Sequence, residues 1–153
     1  MPSTVPTVKP GLRNWLRTRT GLTPADGVTV RGRAINPGEE TNAMVILTRV
    51  IAPQAFAVMA ATKEETPTLT GYVLAKKPGT GDDAEDAARN RAYELFGFIE
   101  TALRTDPTAG GVVAGPGMAE VTEGDLEEGP GDEEGSGTCK AQVRFLIRWQ
   151  SDF

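Results

Sequence analysis

Residues 83–104 read DAEDAARNRAYELFGFIETALR. Ala88, Ala92, Leu95, Ile99 and Ala102 recur at spacings of four and three, which places them on one stripe of an α-helix, and Phe96 and Leu103 widen it. Asp82 or Asp83 can cap the start, and Glu85 and Asp86 suit the positive end of the helix dipole. Asp106-Pro107 stops the helix. The small alanines at the start of the stripe let it lie close against a sheet.

That sheet is legible on both sides of the helix. Residues 138–149, TCKAQVRFLIRW, alternate with a period of two: Val143, Phe145, Ile147 and Trp149 face one way and Arg144, Leu146, Arg148 and Gln150 the other. Residues 43–52, AMVILTRVIA, form a continuous apolar run that suits a strand buried on both faces. Leu69 to Lys76 is a further strand, with Leu69, Val73 and Ala75 on one face. Val28 to Arg33 fits an edge strand, where outward Arg31 and Arg33 discourage unwanted pairing. Val112 to Val121 reads as a strand interrupted at Gly115-Pro116-Gly117, forming a long hairpin with the closing strand. Ala55 to Ala61 fits a strand or a short helix equally well, and 63–67 (KEETP) reads as a turn. Leu12, Trp15, Leu16 and Arg19 fall at helical spacing, so a short helix is expected from about Gly11 to Thr20. The predicted fold class is α+β: a mixed, mostly antiparallel sheet with one long helix packed on a face and a short N-terminal helix at an end. In domain terms, residues 1–10, with three prolines, read as an extended arm, and 11–153 as a single α+β domain carrying an acidic, Gly-rich insertion at 115–137.

Composition narrows the chemistry. A chain of 153 residues can bury ~70 % of its unfolded surface and needs neither disulfide nor metal to hold a core. With Cys139 alone, no intramolecular disulfide or thiolate metal cluster forms, and that cysteine reads as a small core hydrophobe. The absence of histidine removes the commonest general base and metal ligand. No stretch approaches the ~20 apolar residues that cross a bilayer, and Met1–Lys9 lacks the apolar run of a signal peptide. A reduced-compartment or virion protein without catalysis, cofactor or membrane contact is therefore expected. Gly79-Thr80-Gly81-Asp82-Asp83-Ala84 imitates a dinucleotide-binding loop, but Asp82, Asp83, Glu85 and Asp86 place negative charge where a phosphate would sit. The acidic insertion lacks the register of a calcium loop. The pairs Glu39/Glu40 and Glu64/Glu65 read as solvated turn residues, and Trp149 as core or interface filler.

The charge is polarised. From Glu120 to Glu134 there are eight acids and no base, whereas the first 33 residues carry Lys9, Arg13, Arg17, Arg19, Arg31 and Arg33 against Asp26 alone. Scattered bases with only Trp15 among them make specific nucleic-acid binding an unfavoured explanation. Complementary surfaces fit better. The expected interface residues are Arg13, Arg17, Arg31 and Arg33 at one pole, and Glu123, Asp125, Glu127, Glu128, Asp132, Glu133 and Glu134 at the other.

The ordered string ARNRAYELFGFIETALRTDPT (88–108), GGVV (110–113), an insertion and KAQVRFLIRW (140–149) resembles the tail terminator proteins of long-tailed (siphovirus-type) bacteriophages. The resemblance covers roughly Asp83 to Trp149; the acidic insertion has no counterpart in the family pattern. It implies a structural virion protein assembled in the host cytoplasm, a ring of six copies at the head-proximal end of the tail. Such a ring caps the tail tube, ends its polymerisation and joins it to the head-side connector, while DNA passes through the lumen. The 115–137 segment is then a candidate lining of the lumen, or a reach toward the connector. Two other functions compete: another head–tail joining or minor tail protein, and a small α/β ligand-binding domain or enzyme, which would show a deep pocket with convergent polar groups. The core assignment carries its own expectation. Ile99→Asp abolishes folding, and a soluble variant with a cooperative thermal transition would refute it.

Overall fold

A computed structural model of the chain describes residues 4–52, 54–56, 63–113, 119–130 and 137–152. Its elements in chain order are α1 (Val5–Leu16), β1 (Thr29–Arg31), β2 (Ala43–Ile51), β3 (Gln54–Phe56), β4 (Lys63–Glu65), β5 (Thr68–Pro78), α2 (Asp82–Thr105), β6 (Glu120–Pro130), β7 (Thr138–Arg148) and β8 (Ser151–Asp152). Five strands make the main sheet in the order β1-β2-β5-β7-β6, and β3-β4-β8 form a small second one. The β1–β2 pair is parallel and the other pairs are antiparallel, so the mixed, mostly antiparallel α+β expectation holds.

The alternation of 138–149 sets the centre of the sheet. β5 and β7 pair without interruption from Thr68↔Arg148 to Pro78↔Thr138. Their inward residues Leu69, Val73, Ala75, Ala141, Val143, Phe145 and Ile147 join one cluster with Ala88, Ala92, Leu95, Phe96, Ile99 and Leu103 of α2. Burying Leu95, Ile99 and Phe145 contributes about 1.5–3 kcal/mol each. Helix α1 adds Val8, Leu12, Trp15 and Leu16 to the same cluster from above the β1–β2 end, so both helices cover one face. The first half of β2, Ala43–Leu47, is buried on both faces as its composition implies, because Met44 and Ile46 join Leu74 and Ile35 in a smaller cluster on the opposite face.

Three boundaries differ from the sequence reading. The N-terminal helix starts at Val5, so residues 5–10 are helical and no extended arm is found there. Pro6 stands in the first turn, where its missing N–H has no partner to lose. Pro10 does interrupt the ladder, and burial of Val8, Leu12, Trp15 and Leu16 outweighs that loss. Residues 63–65 are a strand, since β4 pairs with β3 and with β8; of the undecided 55–61 segment, 55 and 56 are strand and the rest lies outside the described residues. The largest correction concerns the acidic segment. Residues 110–113 are turns, and the strand paired with β7 runs over Glu120–Pro130, through the acids themselves. An edge strand needs partners on one side only, so β7 satisfies its backbone while its carboxylates stay in water.

Helix α2 begins without a side-chain cap: Gly81 is its N-cap, and Asp82, Asp83 and Glu85 lie in the first turn. It ends at Asp106, whose carboxylate accepts from Thr108 N–H and Oγ1 and from Gly110 N–H. That turn uses positive φ at Ala109, Gly110 and Gly111, and packs Gly110 against the Trp15 ring.

Gly71, opposite Phe145 in the β5–β7 register, lies directly under the Phe145 ring, which a Cβ would strike. Phe145 in turn stacks 6.1 Å from Phe96 of α2, so the ring cannot retreat without disturbing the helix. Gly71→Ala is accordingly expected to cost about 1–3 kcal/mol, read as a lower urea midpoint with unchanged slope.

Candidate functional site

Sheet order carries the two charge poles to opposite ends of one layer. At the β1 end, Arg17 follows the last turn of α1 and its guanidinium donates to the Val30 carbonyl at 2.8 and 3.2 Å. Arg13, one turn earlier, lies over Gly32, whose missing side chain leaves it room. Burial, then the neighbouring Arg13 and Arg31, push Arg17 below its ordinary pKa, so three cations gather about β1. Arg33 is held differently: it pairs with Glu39 at 2.7 Å on the surface, which raises the arginine and lowers the carboxyl.

At the other end, β6 presents its acids along the outermost strand. Asp125 sits opposite Arg144 and pairs with it at 3.3 Å; Glu127 is exposed opposite Gln142; Glu128 turns to the helix side and accepts from Arg89 of α2 at 2.6 Å. That last contact raises Arg89 above its ordinary value. Glu123 lies within β6, and Asp132, Glu133 and Glu134 fall outside the described residues. Beside the acids, Tyr93 and Leu126 are 41 % and 37 % exposed, a large apolar content for a charged rim. Tyr93 stands edge-on to Phe96, and Phe96 lies beneath Gly124 at the irregularity in the β6 ladder.

Two polar constellations escaped the sequence reading. Glu40 receives Lys76 at 2.7 Å and Lys140 at 2.9 Å, with only 14 % of its side chain exposed. It is thus no solvated turn residue. The register of β5 against β7 places Lys76 opposite Lys140, and one carboxylate bridges both. Glu65 is fully buried, and its Oε2 accepts from Thr4 N–H and Thr4 Oγ1 at 2.9 and 2.6 Å, while the indole of buried Trp149 donates to Thr4 Oγ1 at 3.3 Å. Helix α1 has no acid in its first turn, and Glu65 of β4 supplies the acceptor for Thr4 from another element. Sequence spacing offered no signal for either, since each joins residues more than 30 positions apart.

Among the described residues no group of three or more Cys, Asp or Glu side chains is placed to hold a metal ion, and no helix is long and apolar enough to cross a membrane. Buried Cys139 donates toward the Gly79 carbonyl at 3.2 Å, and the Gly79 N–H bonds to Gly137, so the glycine loop is tied to the sheet. The grooves flanking α2 are open to solvent; one of about 460 Å³ runs between Arg19 and Thr20 on one side and Phe98 and Thr105 on the other. What the geometry offers is two oppositely charged edges, one short at β1 and one long at β6.

No protein-family model and no curated protein matches the chain. The fold is nevertheless shared. A chain of a solved structure described as the virion of a native gene transfer agent particle superposes with a TM-score of 0.58 at 14 % identity, covering 99 % of this chain and 100 % of that one. At this identity the likeness is one of architecture. It extends over both charged edges, since virtually the whole chain is aligned.

The Glu40 cluster gives a pH expectation. Burial opposes ionisation of its carboxyl, but the hydrogen bonds and charges of Lys76 and Lys140 outweigh burial and hold it below the ordinary value. With glutamate normally near 4.3, the stabilisation is present above about pH 5 and is lost as pH falls through the folded value. Glu40→Gln should lower stability by about 1–2 kcal/mol at pH 7. The gap between the two proteins should narrow toward pH 3 in urea titrations, and a pH-independent gap would contradict the assignment.

Proposed function

We propose that this chain is a structural virion protein acting as a tail terminator: a ring that caps the tail tube, ends its polymerisation and joins it to the head-side connector. The observation that carries this reading is the fold shared, end to end, with a chain of a virion particle. The resemblance of 88–108, 110–113 and 140–149 to tail terminators supports the finer role, and the structure gives those residues a common purpose. They are the α2 helix, the Asp106 turn that closes it, and the central strand β7 beneath it.

A ring is built from heterologous contacts, in which each copy offers one surface and receives a different one. The two ends of the β1-β2-β5-β7-β6 sheet differ in charge as such a design requires. Its partners are then further copies of itself, the tube subunit on one side and the connector on the other, with DNA passing through without specific contacts.

Deleting the gene from its phage should yield tails of uncontrolled, excessive length in negative-stain micrographs. Tails of ordinary length that fail to acquire heads would overturn the terminator role and assign the chain to head–tail joining instead.

A further inference from the structure

Building on the ring reading above, we infer that the β6 edge of one copy docks on the β1 edge of the next, with Arg31 facing Asp125 and Glu127 on the side away from the helices, and with Arg13 of α1 covering Tyr93 and Leu126 on the helix side. The occupant of each edge is thus a second copy of this chain.

The topology makes the two edges compatible. β1 runs with β2, β2 against β5, β5 against β7, and β7 against β6, so β1 and β6 point in opposite directions at the two ends of one sheet. A copy placed beside another in the same orientation therefore brings β6 antiparallel to its neighbour's β1. The helices of both copies then lie on the same side. Side chains rather than a long backbone ladder must make the contact. β1 has three residues, and Arg17 already occupies the Val30 carbonyl.

The charges are complementary where they are least satisfied. Among the described residues neither Arg13 nor Arg31 forms an ion pair, and Glu127 forms none either. The crowding of Arg13, Arg17 and Arg31 is unfavourable in an isolated copy and would be relieved by carboxylates from a neighbour. Single exposed ion pairs contribute little, so the apolar content matters. The exposed Tyr93 ring and Leu126 side chain lie on the helix face of this edge, while Asp125 and Glu127, opposite Arg144 and Gln142, lie on its other face. Arginine stems cover such apolar surface, and a guanidinium stacks favourably on a tyrosine face.

A charge exchange tests the contact. Arg13→Glu/Arg31→Glu gives a copy with two acidic edges, and Asp125→Arg/Glu127→Arg one with two basic edges. Measured by sedimentation velocity in 50 mM salt, each should associate at least tenfold more weakly than the unaltered protein. Their equimolar mixture should reassemble into alternating rings with even copy numbers, and 500 mM salt should weaken both the unaltered and the mixed assemblies. Either variant assembling alone as the unaltered protein does, or a mixture of two folded variants that stays dissociated, overturns the contact while leaving the ring reading intact. An unaltered protein that remains monomeric at both salt concentrations overturns the ring reading itself. Should a variant lose its far-UV circular dichroism, Arg13→Gln/Arg31→Gln and Asp125→Asn/Glu127→Asn take its place. Each neutral pair should again weaken association about tenfold, and unchanged association counts against the contact.

Discussion

The eleven-residue pairing of β5 with β7 under the apolar stripe of α2 is the constraint on which the other elements depend. Each strand supplies alternate side chains to one face, and the helix supplies a matching row, so Phe145, Ile147, Leu95 and Ile99 exclude water together. Glycine at position 71 is part of this arrangement, because the Phe145 ring needs the space a side chain would take. Once that layer exists, β2 and β6 can add on either side and α1 can cover the β1–β2 end.

Satisfying the remaining polar groups falls to a few long-range contacts. Glu65 joins the small sheet to the start of α1 through Thr4, Lys9 ties α1 to the Thr48 carbonyl of β2, and Glu40 joins the loop before β2 to β5 and β7. These groups lie in low-dielectric or partly covered positions, where losing one partner costs more than the pair contributes in water. They fix how the peripheral elements sit on the central layer, and hence where the two charged edges stand.

Both edges blunt the tendency of open strands to pair indiscriminately. β1 is short and has a guanidinium on one carbonyl, whereas β6 is long, bears carboxylates and breaks its ladder between Thr122 and Asp125. Such edges refuse an arbitrary strand, yet they remain open to a partner with the opposite charge.

Much was legible before any coordinates. The spacing of Ala88, Ala92, Leu95, Ile99 and Ala102 and the alternation of Val143, Phe145, Ile147 and Trp149 are periodic signals, and periodicity reports which face of an element meets apolar neighbours; the apolar run 43–52 implied burial on both faces, which holds over 43–47 and gives way to an exposed face from Thr48 to Ile51. The separation of basic and acidic residues was equally plain. The tertiary structure alone settled three matters. It made residues 5–10 helical despite Pro6 and Pro10, because packing against the sheet outweighs local propensity. It made the acids of 120–130 a strand, because an edge draws its hydrogen bonds from β7 and asks nothing of its own side chains. It assembled Glu40 with Lys76 and Lys140, and Glu65 with Thr4 and Trp149, because register between distant segments is a global property that no local pattern encodes.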